Sequence, residues 1–278
     1  MNLNKIKTSA LIICLCCLCL FSAKAQGDSD AILSRRIDSP IEPSRRPVSF
    51  PPSIGFRKNK ESTKTGKNLL KPDEKDYAEN KEFLDKSKTR IAKLFPDLKC
   101  SKYLIEIGNV PCLQVFQMVG QGAYYSFRYK SNMETAMSEI GFQKGEFFVL
   151  DFFSPKFKLL GFFTDLGDFP IESLDKNSTQ LANLKNYHLP KTNAELISEK
   201  AKLTEGVRLG NDTLNSKTKV KLNNTYGLRL VNWTDGYYGG EDNDLLIALR
   251  VVRANEDGSL VFIWREIQRK GSPKLRKQ

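Results

Sequence analysis

"LLIALRVVRANEDGSLVFIW", Leu245 to Trp264, decides the fold. Two apolar runs, "LLIALRVV" and "LVFIW", flank a short polar connection. A strand with one solvated face alternates apolar and polar residues, because successive side chains point to opposite faces. These runs are apolar at nearly every position, which predicts central strands covered on both faces. The connection "NEDG" carries Asp257-Gly258, a dipeptide suited to a tight hairpin turn. The stretch therefore reads as a hairpin deep inside a sheet.

Working outward, the central strands extend over residues 244–254 and 259–267. Further strands are expected at residues 103–107, 112–118, 124–130, 146–153, 156–163 and 225–233. Two helices accompany them. Over residues 73–95, Tyr77, Leu84 and Ile91 recur at seven-residue spacing, with Leu94 and Phe95 extending the stripe and Pro96 ending it. Over residues 193–205, Thr192 or Asn193 caps the start. Leu196, Ile197 and Leu203 form the apolar stripe, and Gly206 stops the helix. The expected fold is α+β: a mainly antiparallel β-sheet domain over residues 72–268 with one or two packed helices.

The ends add an address. Lys5 and Lys7, the apolar run from Ala10 to Phe21, and Ala23-Lys24-Ala25 read as a signal peptide over residues 1–25. The run is shorter than the roughly 20 apolar residues of a membrane span, so no span is expected after cleavage. Export to the periplasm or beyond follows. Residues 26–71 are rich in proline, serine and charge, and read as a disordered basic arm. Its Arg35, Arg36, Arg45 and Arg46 are candidate contacts for phosphate or carboxylate groups. Residues 269–278 form a basic tail. The net charge of +12 falls to +9 once Lys5, Lys7 and Lys24 leave with the signal. Such a balance suits an anionic envelope component or polysaccharide, and nucleic acid is not expected.

Two cysteines remain after cleavage, Cys100 and Cys112. An oxidising compartment makes a disulfide the first reading, with a stabilisation of about 3 kcal/mol for so short a loop. A hairpin around "GNVP" would set Cys100 opposite a residue well beyond Cys112. The bridge then requires the chain near residues 98–102 to fold back.

Several chemistries lack their parts. His188 is the only histidine, and no G-x-S-x-G occurs, so nucleophilic triads and histidine-built zinc sites have no support. "GQGAYYS" at Gly120 lacks the third glycine of a dinucleotide loop and reads as a turn between strands. No cofactor or metal is called for. Phenylalanine fills residues 147–169, more than one buried face needs. Part of that run could line an apolar ligand cavity or cover another chain. Carboxylates are the remaining catalytic candidates: Asp151, Asp165, Asp168 and Glu172, then Glu241, Asp242 and Asp244. The second group sits in "WTDGYYGGEDND". There Trp233, Asp235, Tyr237, Tyr238, Glu241, Asp242 and Asp244 form a candidate ligand loop for sugar or calcium. The same acids could instead meet Arg or Lys of the chain itself.

"YYSFRYK", "LGDFPIESL", "NNTYGLRLV" and "LLIALRVVRANEDGSLVFIWREIQRKGSPKL" resemble an uncharacterised group of exported bacterial proteins. The resemblance implies export and an α+β domain, and carries no activity. The expectation is an exported, non-enzymatic domain binding a ligand, an envelope component or a partner. The alternative is a carboxylate-dependent hydrolase acting on a polysaccharide.

Overall fold

The computed structural model describes residues 63–97, 106–107, 110–111, 117–154, 156–234 and 242–276. The helices are α1 (Lys64–Leu69), α2 (Glu74–Glu79), α3 (Lys81–Leu84), α4 (Ala182–Asn186) and α5 (Asn193–Glu205). The first strands are β1 (Thr89–Leu94), β2 (Glu106–Ile107), β3 (Val110–Pro111), β4 (Tyr124–Ser126) and β5 (Ser131–Asn132). Then come β6 (Ile140–Gln143), β7 (Glu146–Val149), β8 (Phe157–Asp165), β9 (Val207–Leu209) and β10 (Asp212–Leu214). The last are β11 (Lys217–Lys219), β12 (Thr225–Thr234), β13 (Asn243–Ala254) and β14 (Leu260–Lys270).

The architecture is α+β with antiparallel sheets, as the sequence implies. The large sheet has the order β1-β14-β13-β12-β8, and a smaller one the order β11-β7-β6-β4-β5. β13 and β14 form the expected hairpin, with Gly258 at φ 79° in its turn. Both strands are covered on both faces. Leu245, Ile247, Leu249, Phe262 and Trp264 point to the small sheet, whose Tyr125, Phe127, Ile140 and Phe147 complete one core. Leu246, Ala248 and Ile263 point the other way, to Leu184 of α4 and Leu196 and Leu203 of α5. The layers are thus small sheet, large sheet, helices. The first core is dense in rings: Tyr125, Phe127 and Trp264 meet edge to face with centroids 5.0–6.1 Å apart. Each such pair contributes about 0.5–1.5 kcal/mol beyond area burial.

The phenylalanine run is divided between the two cores. Phe147, Phe157 and Phe163 enter the first and Phe162 the second, while Phe153 is left 45% exposed. Helix α5 has the predicted bounds. The Thr192 hydroxyl accepts from the Glu195 N–H at 3.2 Å, and Gly206 takes φ 100° at the far end. Its stripe differs by one residue: Leu196 and Leu203 are fully buried, but Ile197 is 55% exposed.

The helix expected over residues 73–95 is corrected. Only α2 and α3 form there, and the chain then turns at Lys88, φ 62°, into β1. Thr89 ends the helical segment by donating its hydroxyl to the carbonyls of Leu84 and Lys86. Tyr77, counted in the apolar stripe, is exposed, and Phe83 is the buried residue. The physical reason is tertiary. β14 would otherwise end the sheet with an unpaired apolar edge, and "TRIAKL" supplies six ladder positions, Thr89↔Arg265 to Leu94↔Leu260.

Smaller corrections concern the boundaries. Residues 64–69, placed in the arm, form α1, and the Thr63 N–H bonds the Gln117 carbonyl at 3.1 Å. The strand expected over residues 124–130 ends at Ser126, because residues 127–130 make the turn to β5. The strand expected over residues 146–153 ends at Val149. Of the strand expected over residues 112–118, the described Gln117 and Met118 lie in a turn and a bend and join no strand, and residues 112–116 lie outside the described residues. The basic tail docks: the Trp233 Nε1–H donates to the Pro273 carbonyl at 2.6 Å and the Ser272 hydroxyl to the Asn232 carbonyl at 2.6 Å.

Candidate functional site

The ligand loop proposed from sequence does not gather at one point among the described residues. Asp235, Tyr237, Tyr238 and Glu241 lie outside them, as do Cys100, Cys112, Arg35, Arg36, Arg45 and Arg46. Trp233 is buried on β12 in the second core. The Asp242 carboxylate accepts from the Thr234 N–H and so closes the neck of the loop. Asp244 lies inside β13 and is 2% exposed. It meets Arg229 in a bidentate pair, Nη2–Oδ2 2.7 Å and Nε–Oδ1 2.9 Å. The third guanidinium nitrogen donates to the carbonyls of Leu184, Lys185 and Tyr187 at 2.8–3.1 Å. This pair ties the end of α4 to the centre of the sheet. It is the contact with the chain's own Arg that the sequence left open.

Three of the other acids are engaged with cations. Asp165 meets Lys221 at 3.1 Å and Asp168 meets Arg250 at 2.6 Å. Glu172 is exposed. Asp151 meets Lys200 at 2.6 Å. Among the described residues no three of His, Cys, Asp and Glu gather closely enough to hold a metal ion. No helix there is long and apolar enough to cross a membrane.

Asp151 stands at the rim of a large apolar concavity. A cleft of about 590 Å³ opens between α5, β8 and the segment joining β7 to β8. Its walls include Val149, Phe153, Leu159, Ile197 and Ala201, with Lys200 and Asp151 at one side. That volume lies within the range of small-molecule sites, about 300–1,000 Å³. Ile197 and Phe153 are the two large apolar side chains that the cores leave exposed nearby.

The cleft exists because β8 is an edge strand. In an antiparallel ladder alternate residues turn their N–H and C=O away from the partner. Leu159 does so and donates to the Phe152 carbonyl at 3.1 Å, and Phe163 exchanges bonds with Asn215 at 2.8 and 3.1 Å. Gly161, midway between them, has the same orientation and lines the cleft. A Cβ on it would approach Val149 to 2.7 Å and Leu230 to 2.8 Å, so glycine permits the close approach of β7.

Lys200 is the polar feature of this site. Its side chain is 18% exposed, while that of Asp151 is 86% exposed. Its ammonium donates to Asp151 Oδ1 at 2.6 Å and the Phe152 carbonyl at 2.8 Å, and lies 5.8 Å from the Phe153 ring centroid. Sequence reasoning missed this residue, though a signal was present. Leu196, Lys200 and Leu203 share one helix face, so a lysine interrupts the apolar stripe at the position where packing is incomplete.

No family model matches the chain, and neither a curated protein nor a solved structure does.

Proposed function

We propose that this is an exported, non-enzymatic ligand-binding domain whose ligand places an apolar body in the cleft between α5 and β8. The observation that carries the reading is the cleft itself. It joins an apolar lining to a few convergent polar groups: the Lys200 ammonium, the outward-turned main chain of Gly161, and the hydroxyls of Thr204 and Ser216. That combination suits an amphipathic molecule with an anionic or hydrogen-bonding end. The Asp151 carboxylate can remain solvated when such an end replaces it on Lys200, because it is largely exposed. The hydrolase alternative lacks comparable support, since Asp151 is the single acid in the lining and is paired with a lysine.

Ala201→Trp tests the reading by filling the cleft from the helix side. Binding of an anionic naphthalene fluorophore should be at least tenfold weaker in the variant, with the circular dichroism spectrum and melting temperature retained. Unchanged fluorophore binding in a folded A201W protein would overturn the assignment. Native mass spectrometry of the purified chain should show an adduct that A201W lacks.

A further inference from the structure

A second concavity lies at the β1 end of the large sheet. About 280 Å³ in volume, it is lined by Lys88, Arg90, Arg128, Lys130 and Arg269, with Trp264 and a single acid, Glu266. The sheet register brings these groups together: Arg90 lies opposite Trp264, and Thr89 opposite Arg265. Arg128 and Lys130 arrive from the turn between β4 and β5. Trp264 is fixed from behind, donating its Nε1–H to the Tyr125 hydroxyl at 3.0 Å.

The cations outnumber their partners. Glu266 serves two of them, Arg269 at 2.7 Å and Lys88 at 3.4 Å. Arg128 is held through Nε by Glu139, a fully buried carboxylate that also accepts from the Phe127 N–H at 2.7 Å. Arg90 donates to the neighbouring Thr89 carbonyl at 2.6 Å. Neither Arg90 nor Lys130 has a carboxylate partner among the described residues. The two lysines are held in an unusual way. Lys88 has φ 62° and Lys130 φ 56°, left-handed backbone where glycine is the cheaper residue. Strained positions of this kind cluster where a site over-determines them.

We propose that this pocket binds a phosphate monoester group or inorganic phosphate. The surplus of two unpaired cations matches a group carrying nearly two negative charges at neutral pH. Arginine forks beside lysine point charges are the donor set that tetrahedral oxyanions take. A volume of about 280 Å³ is large enough for a phosphate headgroup. The site is separate from the apolar cleft and does not depend on it.

Calorimetry of the whole chain with inorganic phosphate at low ionic strength tests the proposal. Arg90→Met with Lys130→Met should weaken binding at least tenfold. These side chains leave no carboxylate unpaired when removed, so the fold should persist. Lys217→Met with Lys219→Met on β11 removes the same charge elsewhere and should change affinity less than twofold. Equal losses in the two double variants would show unspecific attraction and overturn the site, as would no detectable binding by the parent chain. Lys88→Gly with Lys130→Gly separates structure from binding: the melting temperature should hold or rise while phosphate affinity falls. A rise with affinity retained would also overturn the proposal. Vesicles distinguish the sources of the group. Retention on phosphatidic acid but not on phosphatidylglycerol, displaced by inorganic phosphate, marks a lipid headgroup. Phosphate binding without vesicle retention marks a soluble monoester.

Discussion

The cleft beside β8 and the pocket at the β1 end occupy opposite edges of one sheet, and they are built from opposite materials. The cleft holds one cation and one acid, each satisfied by the other, among apolar walls. The pocket holds five cations around one acid. The difference follows from what stands behind each edge. β8 faces a helix and a connecting segment, so water is partly excluded and an uncompensated charge there would cost several kcal/mol. β1 faces a turn that solvent reaches, and surplus charge is tolerated because water screens it. Removing charges at the two edges, and at the centre that separates them, therefore has graded consequences.

The centre should respond most. Arg229 and Asp244 are 3% and 2% exposed. Truncating Arg229 leaves a buried carboxylate with only the more distant Lys270, 3.4 Å away, and frees three carbonyls at the end of α4. Arg229→Ala should cost about 3–5 kcal/mol in urea unfolding. A loss under about 1 kcal/mol would mean that the pair is not what couples the helices to the sheet.

Gly161 comes next. A methyl group there meets the buried Leu230 and the partly buried Val149 inside 3.0 Å. Gly161→Ala should destabilise by about 1–3 kcal/mol through overpacking, and it should disturb the cleft wall at Val149 while leaving phosphate binding at the far edge unchanged. Weakening of both sites would show that the two edges are coupled through the sheet.

The sequence made the middle of this sheet legible and its edges obscure. Strands buried on both faces are apolar at nearly every position, so 245–252 and 260–264 announced themselves. Helix α5 was equally plain, because Thr192, its apolar stripe and Gly206 all agree. The edges depend on long-range pairing. "TRIAKL" holds Ile91, which continues the seven-residue spacing of Tyr77 and Leu84 that fits a helix, and only the open side of β14 makes it a strand. The pocket draws on residues 88–90, 128–130 and 264–269, each an ordinary polar stretch alone. The cleft left one trace, a lysine where a leucine would complete the stripe of α5. The acids of "WTDGYYGGEDND" were the most visible candidates, yet of the described ones Asp242 closes a loop neck and Asp244 neutralises Arg229.

A pH titration sharpens the pocket side. Burial works to raise the Glu266 carboxyl, but pairing with Arg269 and Lys88 prevails and holds it below its ordinary value. A carboxylate with a lowered folded value stabilises the fold above its unfolded value near 4.3. That contribution disappears as pH falls through the folded value. The melting-temperature gap between the parent chain and Glu266→Gln should be widest near pH 6 and should close towards pH 3. A gap independent of pH would mean that Glu266 acts through packing alone.

Lys200→Met is expected to be the mildest change. Asp151, its partner, is largely exposed and rehydrates when released, so stability should shift by about 1 kcal/mol or less. The methionine keeps most of the buried stem and leaves the cleft apolar. An anionic fluorophore should then bind several-fold more weakly, while a neutral apolar dye should bind as before or more tightly. Equal loss of both dyes would reveal a different role. Lys200 also holds the Phe152 carbonyl, and in that case its work would be to keep the β7–β8 segment in place as a wall rather than to meet the ligand.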